Sequence, residues 1–537
     1  MLRKTRILLA TLFFAGVTLL FLDFTGTLHA WLGWMAKVQF LPAVLALNFV
    51  TVAVLLLITL LFGRVYCSVI CPLGMMQDII SWIHGKTKKK NRFRFSYSPA
   101  KKWLRYTVLV LFIIGLALGA HSIAILIAPY SAYGRIAGNL LAPLYQWGNN
   151  FFAWIAERAG SYAFYSVDVW IKSVSTFIIS VITFVVIGFL AWKHGRTWCN
   201  TICPVGTFLG LFSRFSLFAP VIDTDKCRNC GLCGKQCKAS CINTKEHEID
   251  YSRCVACMDC IDTCKDGAIS FARRGRRISA ATSASARFSQ KIDAAGSPDL
   301  NEENGRHAPE RGCLSEAKTG VEKKEEGMSV DRRAFLTTGA FMVATATIKA
   351  QEMKVDGGLA DIARAQKPER QTPVVPAGSL SIKNFTDHCT ACQLCVSVCP
   401  NQVLRPSTSL MTLMQPEMSY ERGYCRPECT RCSDICPAGA IRPITREEKS
   451  SIQIGHAVVN LDNCVVNTDG VSCGNCARHC PAGAIRMVRK NPDDPKSLMI
   501  PTVNVERCIG CGACENLCPA RPLAAIHVEG HEVHKTI

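Results

Sequence analysis

Residues 227–237 read Cys227-Arg-Asn-Cys230-Gly-Leu-Cys233-Gly-Lys-Gln-Cys237, and residues 254–264 repeat this cysteine spacing. Three cysteines in one tight loop, with a fourth three residues later, is the ligand spacing of bacterial [4Fe–4S] sites. In two-cluster proteins of this kind, the fourth cysteine binds the neighbouring cluster. We therefore expect two crossed ligand sets: Cys227, Cys230, Cys233 and Cys264; and Cys254, Cys257, Cys260 and Cys237.

The last third of the chain contains four more sets, each ending in Cys-Pro. They are Cys389, Cys392, Cys395 and Cys399; Cys425, Cys429, Cys432 and Cys436; Cys464, Cys473, Cys476 and Cys480; and Cys508, Cys511, Cys514 and Cys518. A structural zinc site draws two ligand pairs from separated knuckles, so the three-plus-one pattern argues against zinc. We expect these 24 cysteines to be the iron ligands of six [4Fe–4S] clusters, in α+β units of strand, loop and short helix.

The composition predicts a membrane segment. The chain has 537 residues, of which 49% are hydrophobic and 19% charged. Four apolar stretches approach the ~20 residues that cross a bilayer: Ile7–Leu22, Leu41–Phe62, Tyr106–Ile127 and Val174–Trp192. The formal net charge is +20, but much of it flanks these stretches, which argues against a nucleic-acid partner and for membrane lipid.

The Lys and Arg residues predict the orientation of this four-helix bundle. They cluster before the first span, between the second and third, and after the fourth, whereas the loops after spans one and three are nearly free of them. By the positive-inside rule, both ends of the bundle and the first cysteine-rich unit are cytoplasmic.

A twelve-residue motif follows the second span and returns after the fourth. Residues 63–74 read Gly-Arg-Val-Tyr-Cys67-Ser-Val-Ile-Cys71-Pro-Leu-Gly, and residues 195–206 read Gly-Arg-Thr-Trp-Cys199-Asn-Thr-Ile-Cys203-Pro-Val-Gly. The bundle is therefore a parallel duplication that brings four thiols together. They could ligate iron or a small cluster, form a redox-active dithiol, or be structural. A cytoplasmic position argues against a structural disulfide, so we favour a redox or metal role.

Several single residues depart from these patterns. Lys238 and Lys265 stand where proline usually follows the last cluster cysteine. Cys241 is either a competing ligand or a spare buried thiol, and Cys313 lies in a linker. His121 lies near the outer end of the third span, where a functional role and a simple interfacial position remain alternatives.

The expected domains are the following: a membrane domain at 1–215, a two-cluster domain at 216–271, a disordered linker at 272–327, a signal-like segment at 328–350, a second linker at 351–384, and a four-cluster domain at 385–537. The signal-like segment contains Arg332 and Arg333 before an apolar run, the pattern of a twin-arginine export signal. It could remain as a short fifth span or be cleaved. We therefore expect the four-cluster domain to be periplasmic.

The repeated Cys-x3-Cys-Pro motif followed by a two-cluster unit resembles the NapH/NosR/CcoG family of membrane ferredoxin-type proteins. The part from Met328 onward resembles NapG/MauM, a twin-arginine-exported four-cluster ferredoxin. The resemblance implies a bacterial inner-membrane protein that takes electrons from the quinone pool and delivers them to a periplasmic reductase. Its NosR/CcoG side implies an alternative, an accessory factor that reduces or matures another enzyme's metal centre.

The sequence shows no complete catalytic site, so a quinol dehydrogenase activity is an expectation from the resemblance alone. No Gly-x-Gly-x-x-Gly opens a strand–helix unit, and no Cys-x-x-Cys-His is present. These absences argue against NAD(P)H as the direct donor and against covalent haem. A ferredoxin-like scaffold without turnover of its own is a third alternative.

Overall fold

A computed structural model of the chain describes residues 2–87, 95–119, 121–274, 354–355 and 361–537. These residues form a helical segment up to Ser213, a first cysteine module at 216–274, and a second cysteine module at 354–355 and 361–537. The predicted linker beyond Arg274, Cys313 and the twin-arginine-like segment with Arg332 and Arg333 lie outside the described residues.

The helical segment contains fourteen α-helices and one π-helical turn, within the residues that the structure describes. They are α1 (Leu2–Leu22), α2 (His29–Leu32), α3 (Trp34–Lys37), α4 (Phe40–Leu45), α5 (Phe49–Phe62), α6 (Val65–Val69), α7 (Pro72–Thr87), α8 (Lys102–Ala117), α9 (His121–Ile127), α10 (Pro129–Ile136), the π-turn (Ala137–Leu141), α11 (Ala142–Arg158), α12 (Val174–His194), α13 (Thr197–Thr201) and α14 (Pro204–Ser213).

Two of these helices, α1 and α12, are long and apolar enough to cross a membrane. The other two predicted spans are broken. The span expected at Leu41–Phe62 divides into α4 and α5, because Leu47 takes a left-handed conformation (φ 53°) and Asn48 caps the next helix by accepting from the Thr51 amide. The span expected at Tyr106–Ile127 divides into α8 and α9 around Gly119 (φ 77°).

The two copies of the twelve-residue motif fold alike. Gly63 (φ 76°) ends α5 and Gly195 (φ 66°) ends α12, each in a left-handed turn that a residue with a Cβ adopts less readily. A five-residue helix follows in each copy, α6 or α13, and carries the first cysteine. Pro72 and Pro204 then begin the next helix, the position where proline fits because its missing N–H needs no partner.

The first cysteine module is built around a two-stranded antiparallel sheet. Strand β1 (Phe218–Ile222) pairs with β4 (Ile269–Arg273), so that Ile222 lies opposite Ile269. A small ladder, β2 (Ile242–Asn243) with β3 (Glu248–Ile249), connects its halves. Helices α15 (Leu232–Gln236) and α16 (Asp259–Thr263) follow the two cysteine loops.

The second cysteine module repeats this plan with more strands. Its elements are β5 (Lys354–Val355), β6 (Asp361–Ile362), α17 (Ile382–His388), α18 (Leu394–Val398), β7 (Leu404–Pro406), β8 (Pro416–Met418), α19 (Arg431–Ile435), α20 (Arg446–Ser451), β9 (Ile452–Val459), a 3₁₀ turn (Leu461–Asn463), α21 (Val465–Thr468), α22 (Asn475–Arg478), β10 (Ile485–Arg489), β11 (Met499–Val503), α23 (Ala513–Asn516) and β12 (Ile526–Thr536). The pairs β7–β8, β9–β12 and β10–β11 are all antiparallel.

Candidate iron–sulfur sites and buried thiols

Four of the six cysteine loops share one backbone conformation. The second and fourth residues after the first cysteine are left-handed in each loop, as at Asn229 (φ 55°) and Gly231 (φ 69°), or Ala391 (φ 47°) and Gln393 (φ 64°). Successive residues in such turns point their N–H groups inward and form a concave site for an anion. The loops at Cys425 and Cys464 have longer spacings and lack this pair among their described residues.

Backbone amides also donate to several cysteine sulfurs. The Ala391 amide lies 3.4 Å from Cys389 Sγ, the Ala484 amide 3.3 Å from Cys480 Sγ, and the Ala525 amide 3.3 Å from Cys518 Sγ. Hydrogen bonds of this kind stabilise anionic thiolates and set the reduction potential of an iron–sulfur cluster. The donor sets therefore fit [4Fe–4S] clusters, which would supply one-electron transfer when bound.

The first module brings five cysteines around one small cavity. The residues are Cys237, Cys241, Cys254, Cys257 and Cys260. Cys237, the fourth cysteine of the first set, therefore lies with the cysteines of the second loop, Cys254, Cys257 and Cys260. Cys241 Sγ lies 3.5 Å from Cys237 Sγ and is buried. Cys233, Cys227 and Cys230 lie near one another, and Cys264 is half-buried on the same core.

The second module shows the same crossing twice. One small cavity is lined by Cys464, Cys473, Cys476 and Cys518, and Cys480 lies near Cys508, Cys511 and Cys514. In the other half, Cys436 lies near Cys389, Cys392 and Cys395, and Cys399 lies near Cys425 and Cys432. Sequence spacing had left this pairing open.

The four cysteine loops of the second module follow one another in a row, because Cys395 lies near Cys432, Cys425 near Cys511, and Cys518 near Cys476. The Cys425 amide donates a 2.9 Å hydrogen bond to the Cys511 carbonyl, which joins the two halves of the module at their cysteine loops. Among the described residues, no three Cys, His, Asp or Glu side chains converge on the position of a single ion. A cubane binds each thiolate through a different iron, so its ligands stand farther apart than those of one ion.

The four thiols of the duplicated motif form a separate buried cluster, which we call the four-thiol site: Cys67, Cys71, Cys199 and Cys203. Two fully buried arginines cross between the copies. Arg64 donates to the Cys199 carbonyl (3.1 Å) and Arg196 to the Cys67 carbonyl (2.7 Å). Gly74 and Gly206 leave the space for them, because a Cβ at either would lie 2.5–2.7 Å from a guanidinium nitrogen.

The two arginines differ in whether a carboxylate balances their positive charge. Arg196 pairs with Asp78 at 2.9 Å. The hydrogen bonds of Arg64 go to Asn200 Oδ1, two backbone carbonyls and, at 3.7 Å, Cys67 Sγ, none of them a carboxylate. A buried cation without an anionic partner is costly, so this charge favours thiolate or another anion at the four-thiol site.

A buried ion network connects the four-thiol site to the first module. Asp78 pairs with Arg6 (2.6 Å) as well as Arg196, and Lys238 lies 3.6 Å from Asp78 and 2.9 Å from Asp259. Burial raises the pKa of Asp78, but these cations outweigh it and hold the pKa well below its usual range. Lys238, which replaces the expected proline, is thus an ionic link between the module and the helices.

The two modules contact opposite ends of α1. Near its beginning, Arg3 pairs with Asp259 of the first module at 2.8 Å. Just after its end, the Thr25 carbonyl accepts from Arg431 of the second module at 3.1 Å. A 21-residue helix is about 31 Å long. His121, at the same end as Thr25, lies 3.5 Å from Asp387.

Sequence reasoning missed two groups that the structure places in the buried interior. The first group is Arg64 and Arg196. Each belongs to the Gly-Arg pair at the start of one copy of the motif, and the repetition of a charged residue beside an apolar span was a signal in the sequence that both arginines have a role. The other group is a buried pair of Asp23 and His29, which lies outside any repeat and has no such signal.

Comparison with known proteins defines the class of this chain. A 4Fe-4S binding domain matches residues 44–91 and 175–220, the two copies of the motif. A 4Fe-4S dicluster domain matches residues 424–484 and 469–521, and a further 4Fe-4S binding domain matches 383–405. The chain is therefore an iron–sulfur electron-transfer protein of the ferredoxin type. No solved structure matches it.

Relatives assign the family. The chain is 32% identical over 163 residues to the methylamine utilization ferredoxin-type protein MauM of Methylobacillus flagellatus, which covers 29% of this chain and 68% of that protein. It is 24% identical over 239 residues to the ferredoxin-type protein NapH of Haemophilus influenzae, covering 43% and 69%. For NapH of Escherichia coli the values are 26% over 243 residues, 44% and 70%. The chain belongs to the family of NapH/MauM ferredoxin-type proteins and combines both types.

Proposed function

We propose that this protein transfers electrons from membrane quinol, through its clusters, to a redox partner in the periplasm. The observation that carries the proposal is the placement of the two cysteine modules at opposite ends of α1, one on Arg3 and the other on Thr25. A carrier between the membrane quinone pool and a partner on one side of the membrane needs cluster sites that extend from the membrane toward that partner. The row of four sites in the second module supplies them.

The proposal assigns six [4Fe–4S] clusters to the 24 cysteines in crossed sets. The crossed geometry supports this assignment, because the fourth cysteines Cys237 and Cys518 each line a cavity with the cysteines of the neighbouring loop. Three more fourth cysteines, Cys399, Cys436 and Cys480, lie near the cysteines of their neighbouring loops. In the second module the row runs from the site of Cys389, next to the helical segment, through those of Cys425 and Cys511, to that of Cys464. The Cys464 site, beside the exposed residues 469–472, is the exit toward a partner.

The four-thiol site acts in this proposal as one redox or metal unit. The uncompensated charge of Arg64 supports an anionic occupant, either thiolates or an additional iron or cluster held by them. Its ionic link to the first module through Asp78 and Lys238 supports communication between the two sites.

The proposed topology has four spans, a cytoplasmic first module and a periplasmic second module. Lys and Arg placement supports the first part, and the contact of the modules with opposite ends of α1 supports the second. The twin-arginine-like segment with Arg332 and Arg333 would direct export of the folded second module.

The experiment is anaerobic reduction of the purified, cluster-loaded protein by decylubiquinol or menadiol in detergent micelles. Reduction is followed by the loss of iron–sulfur absorbance, with dithionite giving the complete bleach. Bleaching by quinol within seconds supports the proposal. If dithionite bleaches the protein and neither quinol does, the protein is not a quinol dehydrogenase, and an accessory role in reducing another enzyme's metal centre takes its place.

A further inference from the structure

A buried acid–base pair lies just beyond the end of α1. His29 Nδ1 lies 2.9 Å from Asp23 Oδ2, and the two side chains are 8% and 3% exposed. Asp23 Oδ1 also accepts from the amides of Thr25 (3.0 Å) and Gly26 (2.9 Å), and its Oδ2 accepts from the Leu28 amide (2.8 Å). The carboxylate is therefore held in the ionised form and orients the imidazole.

The other ring nitrogen of this histidine is unused. Among the described residues, His29 Nε2 is buried and makes no hydrogen bond of normal geometry, although the Leu20 carbonyl lies close enough to favour the protonated ring. Burial lowers the pKa of His29 below its usual 6.5, and Arg431 acts in the same direction, whereas Asp23 opposes them. The imidazole is thus neutral at pH 7, and Nε2 carries a free lone pair.

The segment that carries this pair packs against the helix that carries cluster ligands. Arg431 and Ile435 of α19 contact it: Arg431 donates to the Thr25 carbonyl (3.1 Å), and a Cβ at Gly33 would lie 3.2 Å from Ile435 Cδ1. Each of these residues immediately precedes a proposed ligand, Cys432 or Cys436. The proton acceptor His29 therefore lies on a segment that packs beside the proposed ligands of two clusters, at the end of α1.

We propose that Asp23 and His29 form the site where quinol is oxidised. This inference rests on the proposed function and adds the residues that take the protons. The quinol O–H bonds break, one proton at a time passes to His29 Nε2 and onward to water, and two electrons leave to two oxidised clusters, one each. The quinol becomes a quinone, two protons are released, and the balance is complete. Nε2 has no exposed surface, so quinol binding requires the loop at residues 24–28 to rearrange.

A structural role is the other explanation, because Asp23 also organises the turn after α1. The test uses His29→Gln, Asp23→Asn and, as a matched control, His121→Gln. His121 is also a buried histidine near an aspartate at this end of the helices, but its Nε2 already faces Asp387. Iron content and the dithionite bleach establish that each variant holds its clusters.

The first measurement is the rate of bleaching by quinol as a function of pH. Loss of a general base costs about 100-fold or more. We expect that loss in His29→Gln and less than twofold in His121→Gln. In wild-type protein the bleaching rate rises with pH as His29 loses its proton, and the midpoint of this rise lies below pH 6.5. In Asp23→Asn this rise moves to lower pH, because the charge that favours the imidazolium is gone. A structural role would not move the pH profile.

The second measurement does not depend on turnover. 2-n-Heptyl-4-hydroxyquinoline N-oxide, a quinol analogue, is titrated by fluorescence quenching. Loss of one hydrogen bond of about 1 kcal/mol predicts roughly fivefold weaker binding to His29→Gln and unchanged binding to His121→Gln. Equal binding and equal bleaching rates in wild type and His29→Gln would overturn the inference. If wild type itself is not reduced by quinol, the proposed function fails, and the analogue titration still tests the site.

Discussion

Arg196 donates a 2.7 Å hydrogen bond to the carbonyl of Cys67, a residue 129 positions earlier in the other copy of the motif. Arg64 makes the equivalent bond to Cys199. Each copy of the duplicated motif therefore completes the surroundings of the other copy's first cysteine. The four-thiol site is a product of the duplication, since one copy alone would supply only two of the thiols and would lack the cysteine carbonyl that accepts from its arginine.

Removing Arg196 should destabilise the protein far more than removing an exposed cation. Arg196→Gln breaks a fully buried ion pair with Asp78, a change that costs about 3 kcal/mol or more of unfolding free energy. Lys367→Gln, which breaks a partly exposed pair with Glu417, should cost no more than about 1 kcal/mol. Chemical denaturation in detergent micelles measures both. Equal losses would mean that the Asp78 network contributes little.

The four cysteines of the four-thiol site should behave as one unit. If they share a function, single Ser substitutions at Cys67, Cys71, Cys199 and Cys203 each give about the same loss of electron transfer, and the quadruple variant loses no more. Ser68→Ala is the matched control, because Ser68 is fully buried next to Cys67 but carries no thiol. Small losses that add from one substitution to the next would show four independent structural thiols.

The crossed ligand sets predict which cysteines share a signal. Cys518→Ser should remove the same electron paramagnetic resonance signal as Cys473→Ser, because both line one cavity. Cys480→Ser should instead match Cys511→Ser. The comparison is made on dithionite-reduced protein. Uncrossed sets, in which Cys480→Ser matches Cys473→Ser, would contradict this arrangement.

Sequence reasoning predicted the local units well and the tertiary relationships less well. The cysteine spacing predicted six ligand loops, and four of them share one backbone conformation, because ligand geometry restricts the sequence over a few residues. It did not locate the break between α4 and α5, since Leu47 is left-handed without a glycine or proline to mark it. The partners of Lys238, Arg64 and His29 come from distant parts of the chain, and spacing along the sequence carries no information on such contacts.

The two modules should differ in protease sensitivity in spheroplasts. We expect external protease to digest the second module and to spare the first, because Lys and Arg placement predicts a cytoplasmic first module. Antibodies to each module detect the fragments, with a known periplasmic protein and a known cytoplasmic protein as controls. Protection of the second module while the periplasmic control is digested would show that both modules are cytoplasmic.

The metal and sulfide content of anaerobically purified protein tests the central claim most directly. Six cubanes require about 24 iron and 24 acid-labile sulfide per chain, and the four-thiol site can only add to this number. We predict at least about 24 of each, with no stoichiometric zinc. Zinc in place of iron, or iron near eight per fully folded chain, would contradict the account of a six-cluster electron-transfer protein.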